Sequence, residues 1–332
     1  TQHIEFAVQV ELFRLMVLCR VLENACCELN SRWFPAEGEE AAIVGSFFGL
    51  RPDDFIAPHY RGPFIAYYLR GAELPRLIGQ VLAKANGYSR GRALGFTGPI
   101  EQRALPWVAG DLGTSLGVAT GTAVGHQYDG TDRVTVCTFG DGTTNRGDFH
   151  EALNLAAVWR LPIVYVCQHN QYSISLHSSQ VLACDSIASR AAGYGMPGVS
   201  VDGNDALAVH AAVQEAIGRA RSGHGPTLIE ACSYRLGGHW ASDPGGYRSE
   251  EDVAAWRAKD PITRLHAALL ESGALDQEEI ERVWADARSQ VAAAVEEAQA
   301  APSAEGTGLG LEEVFAPPSF SPGGSDREGA KG

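Results

Sequence analysis

Residues 134–175 read VTVCTFGDGTTNRGDFHEALNLAAVWRLPIVYVCQHNQYSIS. The apolar runs at 134–139 and 161–167 are typical of buried strands, and residues 148–160 between them carry apolar side chains at helical spacing. A strand, a helix and a second strand within about forty residues predict a right-handed crossover that joins parallel strands. The stretch therefore predicts an α/β fold built on a mostly parallel sheet.

Polar residues follow both predicted strands. Asp141 comes directly after the first strand, and Asn170 follows the second. The carboxyl ends of parallel strands form the edge of the sheet where α/β proteins bind ligands. Carboxylate, amide and carbonyl oxygens are ligands that suit Mg²⁺ shared with a phosphate group. A helix N-terminus just after Gly142 would add backbone N–H groups for an anion.

This pattern resembles a known family. Gly140-Asp141-Gly142, followed about thirty residues later by Asn170, is similar to the thiamine diphosphate motif. The whole of residues 140–175 resembles the alpha subunit of the decarboxylating component of 2-oxo acid dehydrogenase complexes, of the pyruvate, branched-chain 2-oxo acid or acetoin type. The resemblance extends over about residues 5–318. It implies a thiamine diphosphate-binding fold, with helices on both faces of the sheet.

The resemblance also implies roles for individual residues. Asp141, Asn170 and the carbonyl of Tyr172 would bind Mg²⁺, and Gly142 and Thr143 would contact the cofactor. Two further segments supply the remaining positions. Tyr60 and Arg61 match the positions that hold the diphosphate, and the backbone of Pro106 and Val108 matches the contact with the aminopyrimidine ring.

Two candidate residues, Arg61 and a histidine in a later loop, also have explanations that involve no function. An arginine beside an aromatic residue can bind phosphate through two hydrogen bonds, but Arg61 alone would more often form a surface ion pair. A histidine in a glycine-rich loop titrates near neutrality and is often inert. The similarity of residues 235–248 to the active-site loop of the family favours a catalytic role for His239, in contact with the diphosphate region and in acyl transfer. Relatives have a histidine near position 95, where this chain has Gly95.

The remaining pattern predicts a helical frame around the sheet. Residues 4–30 have the spacing of a core-facing helix, and Gly38-Glu39-Glu40-Ala41 begins a second helix with acidic residues that favour its first turn. Residues 87–106 and 175–189 are predicted to be loops, and 226–232 is predicted to be a buried strand. The helix N-caps are predicted to be Asp205, Ser249 and Asp276.

A run of glycines at 110, 113, 117, 121 and 125 falls on one helix face. Each glycine destabilises a helix by roughly 1 kcal/mol relative to alanine, so the run implies the close approach of another element. That neighbour belongs either to the same chain or to a partner subunit. We predict one cofactor-holding domain at 1–300, with an N-terminal helical extension, and a flexible C-terminal tail at 301–332.

Composition narrows the class of protein. The net charge of −14 and the lack of a basic cluster argue against nucleic acid binding. The seven cysteines lack CxxC spacing, which argues against a cysteine-bound metal site and against a framework of disulfide bonds. The sequence has no run long enough to cross a membrane and no secretory pattern at its beginning. We therefore expect a cytoplasmic protein.

The resemblance implies oxidative decarboxylation of a 2-oxo acid and transfer of the acyl group to a lipoyl-bearing acyltransferase. It also implies an α₂β₂ assembly, in which a beta subunit supplies the glutamate that activates the cofactor. Two alternatives stay open. One is a ketol or acyl transferase that uses the same cofactor with a carrier-protein or sugar acceptor. The other is a non-catalytic subunit that keeps the fold as a structural partner.

Overall fold

The computed structural model describes residues 5–92, 97–106 and 112–304. The strands of this part of the chain are β1 (Phe55–Ala57), β2 (Thr135–Gly140), β3 (Ile163–His169), β4 (Tyr172–Ser173), β5 (Leu176–His177), β6 (Gly198–Asp202) and β7 (Thr227–Cys232). A parallel sheet has the order β1-β2-β3-β7-β6, and β4 and β5 form a separate antiparallel hairpin. The predicted α/β fold with a parallel sheet is confirmed.

The helices surround this sheet. In the described ranges they are α1 (Phe6–Leu29), α2 (Glu40–Phe47), α3 (Pro63–Leu69), α4 (Leu74–Val81), α5 (Thr114–Tyr128), α6 (Gly147–Trp159), α7 (Ala206–Arg221), α8 (Glu250–Arg257), α9 (Pro261–Ser272) and α10 (Gln277–Ala300). Side-chain caps at Asp205, Ser249 and Asp276 confirm the predicted starts of α7, α8 and α10. The segment 175–189, predicted to be an irregular loop, instead contains β5 and two 3₁₀ turns.

The sheet separates two hydrophobic cores, because successive side chains of a strand point to opposite faces. On one face, Val136, Val164 and Ile229 pack with residues of α1, α2 and α7. On the other face, Phe139 and Tyr165 pack with residues of α5 and α6. Strands buried on both sides are typical of parallel sheets, and the predicted helices on both faces are confirmed.

The two ends of the described chain lie on the helical side. Helix α1 buries Leu12 and Leu22 and packs against α10, so the predicted N-terminal helix is confirmed. The backbone N–H of Ala85 donates to the carbonyl of Pro302 at 2.9 Å, so the segment predicted to be a tail begins with residues that contact the domain. Residues 305–332 lie outside the described ranges. Among the described helices, none is long and apolar enough to cross a membrane.

A buried group of charges joins the helices and yields a stability prediction. The guanidinium of Arg20 bonds to the carboxylate of Glu40 and, at 2.7 Å, to that of Asp260. The substitution Arg20→Met leaves both carboxylates without their cation, and we expect a loss of about 3–5 kcal/mol in the free energy of unfolding. Urea unfolding measures it. As a control, Arg14→Gln removes an exposed ion pair with Glu11 and should change that free energy by less than about 1 kcal/mol.

Candidate functional site

The loops that follow β1, β2, β3 and β7 meet at the C-terminal edge of the sheet. They surround a cavity of about 160 Å³. Its walls include seven residues that the sequence predicted to bind a cofactor: Tyr60, Asp141, Gly142, Thr143, Asn170, Tyr172 and His239. It is also lined by residues to which no role was assigned, among them Phe34, His59, Ser173 and Ile174. Positions as far apart in the sequence as Phe34 and His239 thus share one site.

Two described residues that were predicted to bind the cofactor, Arg61 and Pro106, do not line this cavity. Arg61 lies directly behind it and is buried. Pro106 borders a different surface cavity, and its carbonyl accepts a hydrogen bond of 2.9 Å from the backbone N–H of Gly98. Val108 lies outside the described residues, as does Gly95. The contact of Pro106 and Val108 with a cofactor ring therefore stays a prediction.

Asp141 places a buried carboxylate at the centre of the site. Its side chain is almost fully buried, and burial raises the pKa of the carboxyl group. Within the described ranges, no lysine or arginine forms an ion pair with it. A divalent cation bound here would supply the missing positive charge.

The next residue must be a glycine. A Cβ atom at Gly142 would lie 2.4 Å from Oγ of Ser173, so the loop after β2 can approach the β4–β5 hairpin only without a side chain. The helix predicted just after Gly142 is wrong in detail. Residues Asp141–Asn145 form a 3₁₀ turn, and α6 begins at Gly147 because Arg146 between them has extended backbone angles.

Asn170 is held by hydrogen bonds on both sides of its amide. Its Nδ2 donates to Oε1 of Glu39 at 2.8 Å, and its Oδ1 accepts from the backbone N–H of Tyr172 at 3.1 Å. The side chain is 3 % exposed. The amide oxygen is therefore fixed beside the backbone of the residue whose carbonyl was predicted to be the third Mg²⁺ ligand.

Glu39 occupies the N-cap position of α2 but does not cap the helix. Its side chain makes no cap hydrogen bond to α2 and is fully buried against Asn170, Gln168 and Arg61. Burial raises the pKa of Glu39 to about 7, although Arg61 and Asn170 oppose this shift. A signal was present in the sequence, because the residues after Glu40 are apolar around the whole helix and predict a helix buried on every side.

Arg61 forms a buried cluster, so its alternative as a surface ion pair is wrong. Its Nε lies 3.3 Å from Oε1 of Glu39, Nη1 donates to the carbonyl of Pro35 at 2.5 Å, and Nη2 donates to the carbonyl of His239 at 3.4 Å. The guanidinium thus connects the segment before α2 with the loops after β1 and β7. It supplies the positive charge behind the cavity wall.

His239 differs from the loop histidine that the sequence predicted. Burial, together with the charges of Arg61 and Arg235, lowers its pKa to about 4. The expected titration near neutrality is therefore wrong, and the imidazole is neutral at pH 7. The ring packs edge-on against Phe34, with centroids 5.0 Å apart, and the backbone N–H donates to Asp243 at 2.6 Å.

The lowered pKa of His239 predicts a loss of stability in acid. The unfolded chain, with a histidine pKa of about 6.5, binds more protons than the folded chain between pH 6.5 and pH 4. The free energy of unfolding therefore falls as the pH falls through this window, by roughly 1–2 kcal/mol from this residue between pH 7 and pH 5. Denaturant unfolding of wild type and His239→Asn at both pH values isolates the contribution. An equal pH dependence in the two proteins would contradict it.

Arg235 supports the opposite wall and had no predicted role of its own. It is fully buried, and its Nη2 donates to the carbonyl of Ile174 at 2.6 Å. This contact holds the turn of the β4–β5 hairpin, where Ile174 has a φ of 56°. A β-branched residue in the left-handed region is strained, and such strain persists only where neighbouring contacts fix the backbone. Ile174 therefore presents its side chain to the cavity in a fixed position.

The part of the chain that matches known proteins includes this whole site. The profile of the family described as dehydrogenase E1 component matches residues 14–306. The chain belongs to the dehydrogenase E1 component family. The resemblance identified in the sequence is thereby confirmed, and the matched range includes all the residues of the cavity wall.

Named relatives of the E1 family agree over most of their length. The chain is 38% identical over 306 residues to the 2-oxoisovalerate dehydrogenase subunit alpha of Bacillus subtilis (strain 168), which covers 89% of this chain and 92% of the relative. It is 42% identical over 283 residues to the 3-methyl-2-oxobutanoate dehydrogenase subunit alpha of Mycobacterium tuberculosis (strain ATCC 25618 / H37Rv), covering 83% and 74%. It is 36% identical over 309 residues to the pyruvate dehydrogenase E1 component subunit alpha of Bacillus subtilis (strain 168), covering 90% and 80%.

The E1 family is dependent on thiamine diphosphate, and the site fits this cofactor. A buried carboxylate that forms no ion pair with a described lysine or arginine, a fixed amide oxygen and a backbone carbonyl are the hard oxygen donors that suit a metal–diphosphate unit. The close approach at Gly142 keeps the backbone of the loop free of side-chain bulk. Tyr60 packs against His239, with ring centroids 6.4 Å apart, and the guanidinium of Arg61 lies 5.6 Å from the centre of the Tyr60 ring.

Proposed function

We propose that this chain is the cofactor-anchoring alpha subunit of a 2-oxo acid dehydrogenase, and that it binds Mg²⁺ through Asp141, Asn170 and the carbonyl of Tyr172. The reaction is oxidative decarboxylation of a 2-oxo acid, with transfer of the acyl group to a lipoyl-bearing acyltransferase. The observation that carries the proposal is the buried Asp141 carboxylate, whose pKa burial raises although the charges of His169 and Arg235 oppose the shift, in a family that uses thiamine diphosphate. No lysine or arginine among the described residues forms an ion pair with it.

Thiamine diphosphate, when bound, supplies the electron sink for the loss of carbon dioxide. In this proposal Tyr60, Gly142 and Thr143 hold its diphosphate directly, and Arg61 holds it through its charge from behind the cavity wall. Arg61 carries the permanent positive charge, and the 3₁₀ turn after β2 offers backbone N–H groups.

His239 assists acyl transfer as a neutral hydrogen-bond donor. Its Nδ1 lies 3.4 Å from Nη2 of Arg61. Because a guanidinium can only donate, Nδ1 is the acceptor and the ring proton is on Nε2. That N–H is available to an oxygen of the substrate, and the lowered pKa keeps the imidazole in this form across the physiological range.

A beta subunit completes the site. The cavity of about 160 Å³ is smaller than the roughly 300–1,000 Å³ of ordinary ligand pockets, which supports an active site shared between subunits. Gly117, Gly121 and Gly125 of α5 are exposed, and no described atom would lie within 4 Å of a Cβ added to any of them. Trp159 and Val158 of α6, the helix that packs against α5, are exposed as well. We assign this surface to the beta subunit of an α₂β₂ assembly that works in the cytoplasm.

Activity of the assembled protein tests the proposal. The chain is co-expressed with its beta subunit, and reduction of an artificial electron acceptor is measured with pyruvate, with branched-chain 2-oxo acids and with acetoin. Activity with one of them supports the dehydrogenase, and inactivity with all of them rejects it. A lipoyl domain added to the active assembly should become acylated. Cofactor binding without acylation of that domain would favour a ketol or acyl transferase instead.

A further inference from the structure

We propose that Glu39 is a positioning residue, which orients the amide of Asn170 for metal binding and couples it to Arg61. The inference rests on the proposed function, since it concerns the same metal site. Glu39 does not line the cavity and therefore acts through its neighbours.

One carboxylate meets three partners from separate parts of the chain. Oε1 accepts from Nδ2 of Asn170 at 2.8 Å and lies 3.3 Å from Nε of Arg61. Oε2 accepts from Nε2 of Gln168 at 3.3 Å. Glu39, Arg61, Gln168 and Asn170 are each at most 3 % exposed. The contacts therefore join the start of α2 to the loop after β1 and to the end of β3.

The chemistry of a carboxylate decides which way the amide points. Oε1 of Glu39 faces Nε of Arg61, which can only donate, so this oxygen is an acceptor and Asn170 must turn its NH₂ group towards it. The amide oxygen then lies on the opposite side, next to the backbone N–H of Tyr172, where the proposed metal ligands gather. Reversing the amide would place its oxygen against Oε1 of Glu39, and two acceptors would face each other without a proton.

The amide of Gln168 has the same orientation as that of Asn170, and this orientation leaves its oxygen without a hydrogen bond. Its NH₂ group also faces Glu39, while its Oε1 is buried and has no partner among the described residues. A buried acceptor without a partner is unfavourable, because the group has lost its water without gaining a hydrogen bond. Both amides turn their NH₂ groups towards Glu39, and Asn170 is the one that reaches the cavity.

Two substitutions separate positioning from charge compensation. Glu39→Gln keeps the reach of the side chain and one acceptor oxygen for Asn170, and Gln168 can turn its unpartnered oxygen towards the new NH₂ group. Glu39→Asp keeps the negative charge beside Arg61 but withdraws the oxygens by one methylene. Positioning therefore predicts that the Gln variant binds metal better than the Asp variant, whereas a role limited to the charge of Arg61 predicts the reverse order.

The experiment measures the affinity for Mg²⁺ by calorimetry at saturating thiamine diphosphate, with the chain in complex with its beta subunit. We expect Glu39→Asp to lose about 10–100-fold in affinity, as outer partners of metal ligands typically do, and Glu39→Gln to stay within about fivefold of wild type. Glu23→Gln is the matched control. Glu23 is another buried carboxylate, bonded to Nε1 of Trp33 at 2.8 Å and not to Asn170, so its loss should leave the affinity unchanged.

The Asn170→Ala background gives a second readout. If Glu39 acts through Asn170, Glu39→Asp should cause no further loss there, since effects of coupled residues are not additive. Equal losses in both backgrounds, or Asp binding Mg²⁺ better than Gln, would overturn the inference while leaving the proposed function intact. Wild-type protein that binds no Mg²⁺ with the cofactor would overturn both, and the two failures are thereby distinguished.

Discussion

Asp141→Ala should abolish the Mg²⁺-dependent binding of thiamine diphosphate, with a loss of affinity on the order of 10³-fold or more. Removal of an outer partner of a metal ligand already weakens metal binding by about 10–100-fold, and Asp141 is proposed to contact the metal itself. Its carboxylate is also the only full negative charge in the proposed ligand set, since Asn170 and Tyr172 contribute neutral oxygens. Calorimetry on the complex with the beta subunit measures the loss.

The same substitution should not destabilise the chain without its cofactor. Burial raises the pKa of Asp141, so the folded state favours the protonated form, and the ionised carboxylate opposes folding at pH 7. Removing it should leave the free energy of unfolding of the apo chain unchanged or higher. Lower stability of the free protein is expected where a buried charge is needed to bind a ligand.

Asp148→Ala provides the control for this experiment. Asp148 lies in the first turn of α6, close in sequence to Asp141, but its side chain is 45% exposed and pairs with Arg146 on the surface. Its removal should change neither the affinity for the cofactor nor the activity beyond about twofold. Tight Mg²⁺-dependent binding by Asp141→Ala, or an equal loss in both variants, would contradict the assignment of Asp141.

The sequence predicted those parts of the site that depend on short sequence patterns. Asp141 and Asn170 follow apolar runs, and parallel strands bring their own carboxyl ends to one edge, so the two residues could be placed together without a structure. The resemblance added Tyr60 and His239 from their motifs. The position of β7 between β3 and β6 depends on long-range pairing, which no local window contains.

The burial and the charged neighbours of individual side chains could not be predicted from the sequence in the same way. Glu39 and Glu40 look alike at the start of a helix, yet one reaches Asn170 and the other bonds to Arg20. Which neighbour each meets depends on residues more than 100 positions away for Glu39, and on a different helix for Glu40. The lowered pKa of His239 depends on Arg61 and Arg235, which only the fold brings beside it.

Gly121→Leu should prevent assembly with the beta subunit and reduce the activity of the mixed proteins by on the order of 10²-fold. Among the described residues, no atom would lie within 4 Å of a Cβ added to Gly117, Gly121 or Gly125, whereas a Cβ added to Gly113 would meet Asp148 of α6. In the described part of the chain, the in-chain neighbour that the sequence left open is therefore present at Gly113 and not at these three glycines. A leucine at the centre of this surface would hold the proposed partner away from the glycines. Loss of a central contact in an interface typically costs 2 kcal/mol or more, about 30-fold or more in affinity.

The free chain should respond in the opposite sense. Gly121 is exposed within α5, with open space where a side chain would point, and leucine is a better helix former by roughly 1 kcal/mol. The unassembled variant should therefore be at least as stable as wild type in urea unfolding. A variant that folds normally but does not assemble indicates that the substituted residue contacts the partner subunit.

Gly218→Leu separates a surface effect from a property of glycine. Gly218 is also an exposed helical glycine with open space around it, but it lies on α7, on the opposite face of the sheet from α5. Both substitutions should stabilise the free chain, and only Gly121→Leu should abolish the α₂β₂ species in size-exclusion chromatography with light scattering. If Gly121→Leu assembles as wild type does, the beta subunit binds elsewhere, and the glycines of α5 need another explanation. If both variants fail to assemble, the interface extends to α7 and is larger than the surface of α5 and α6.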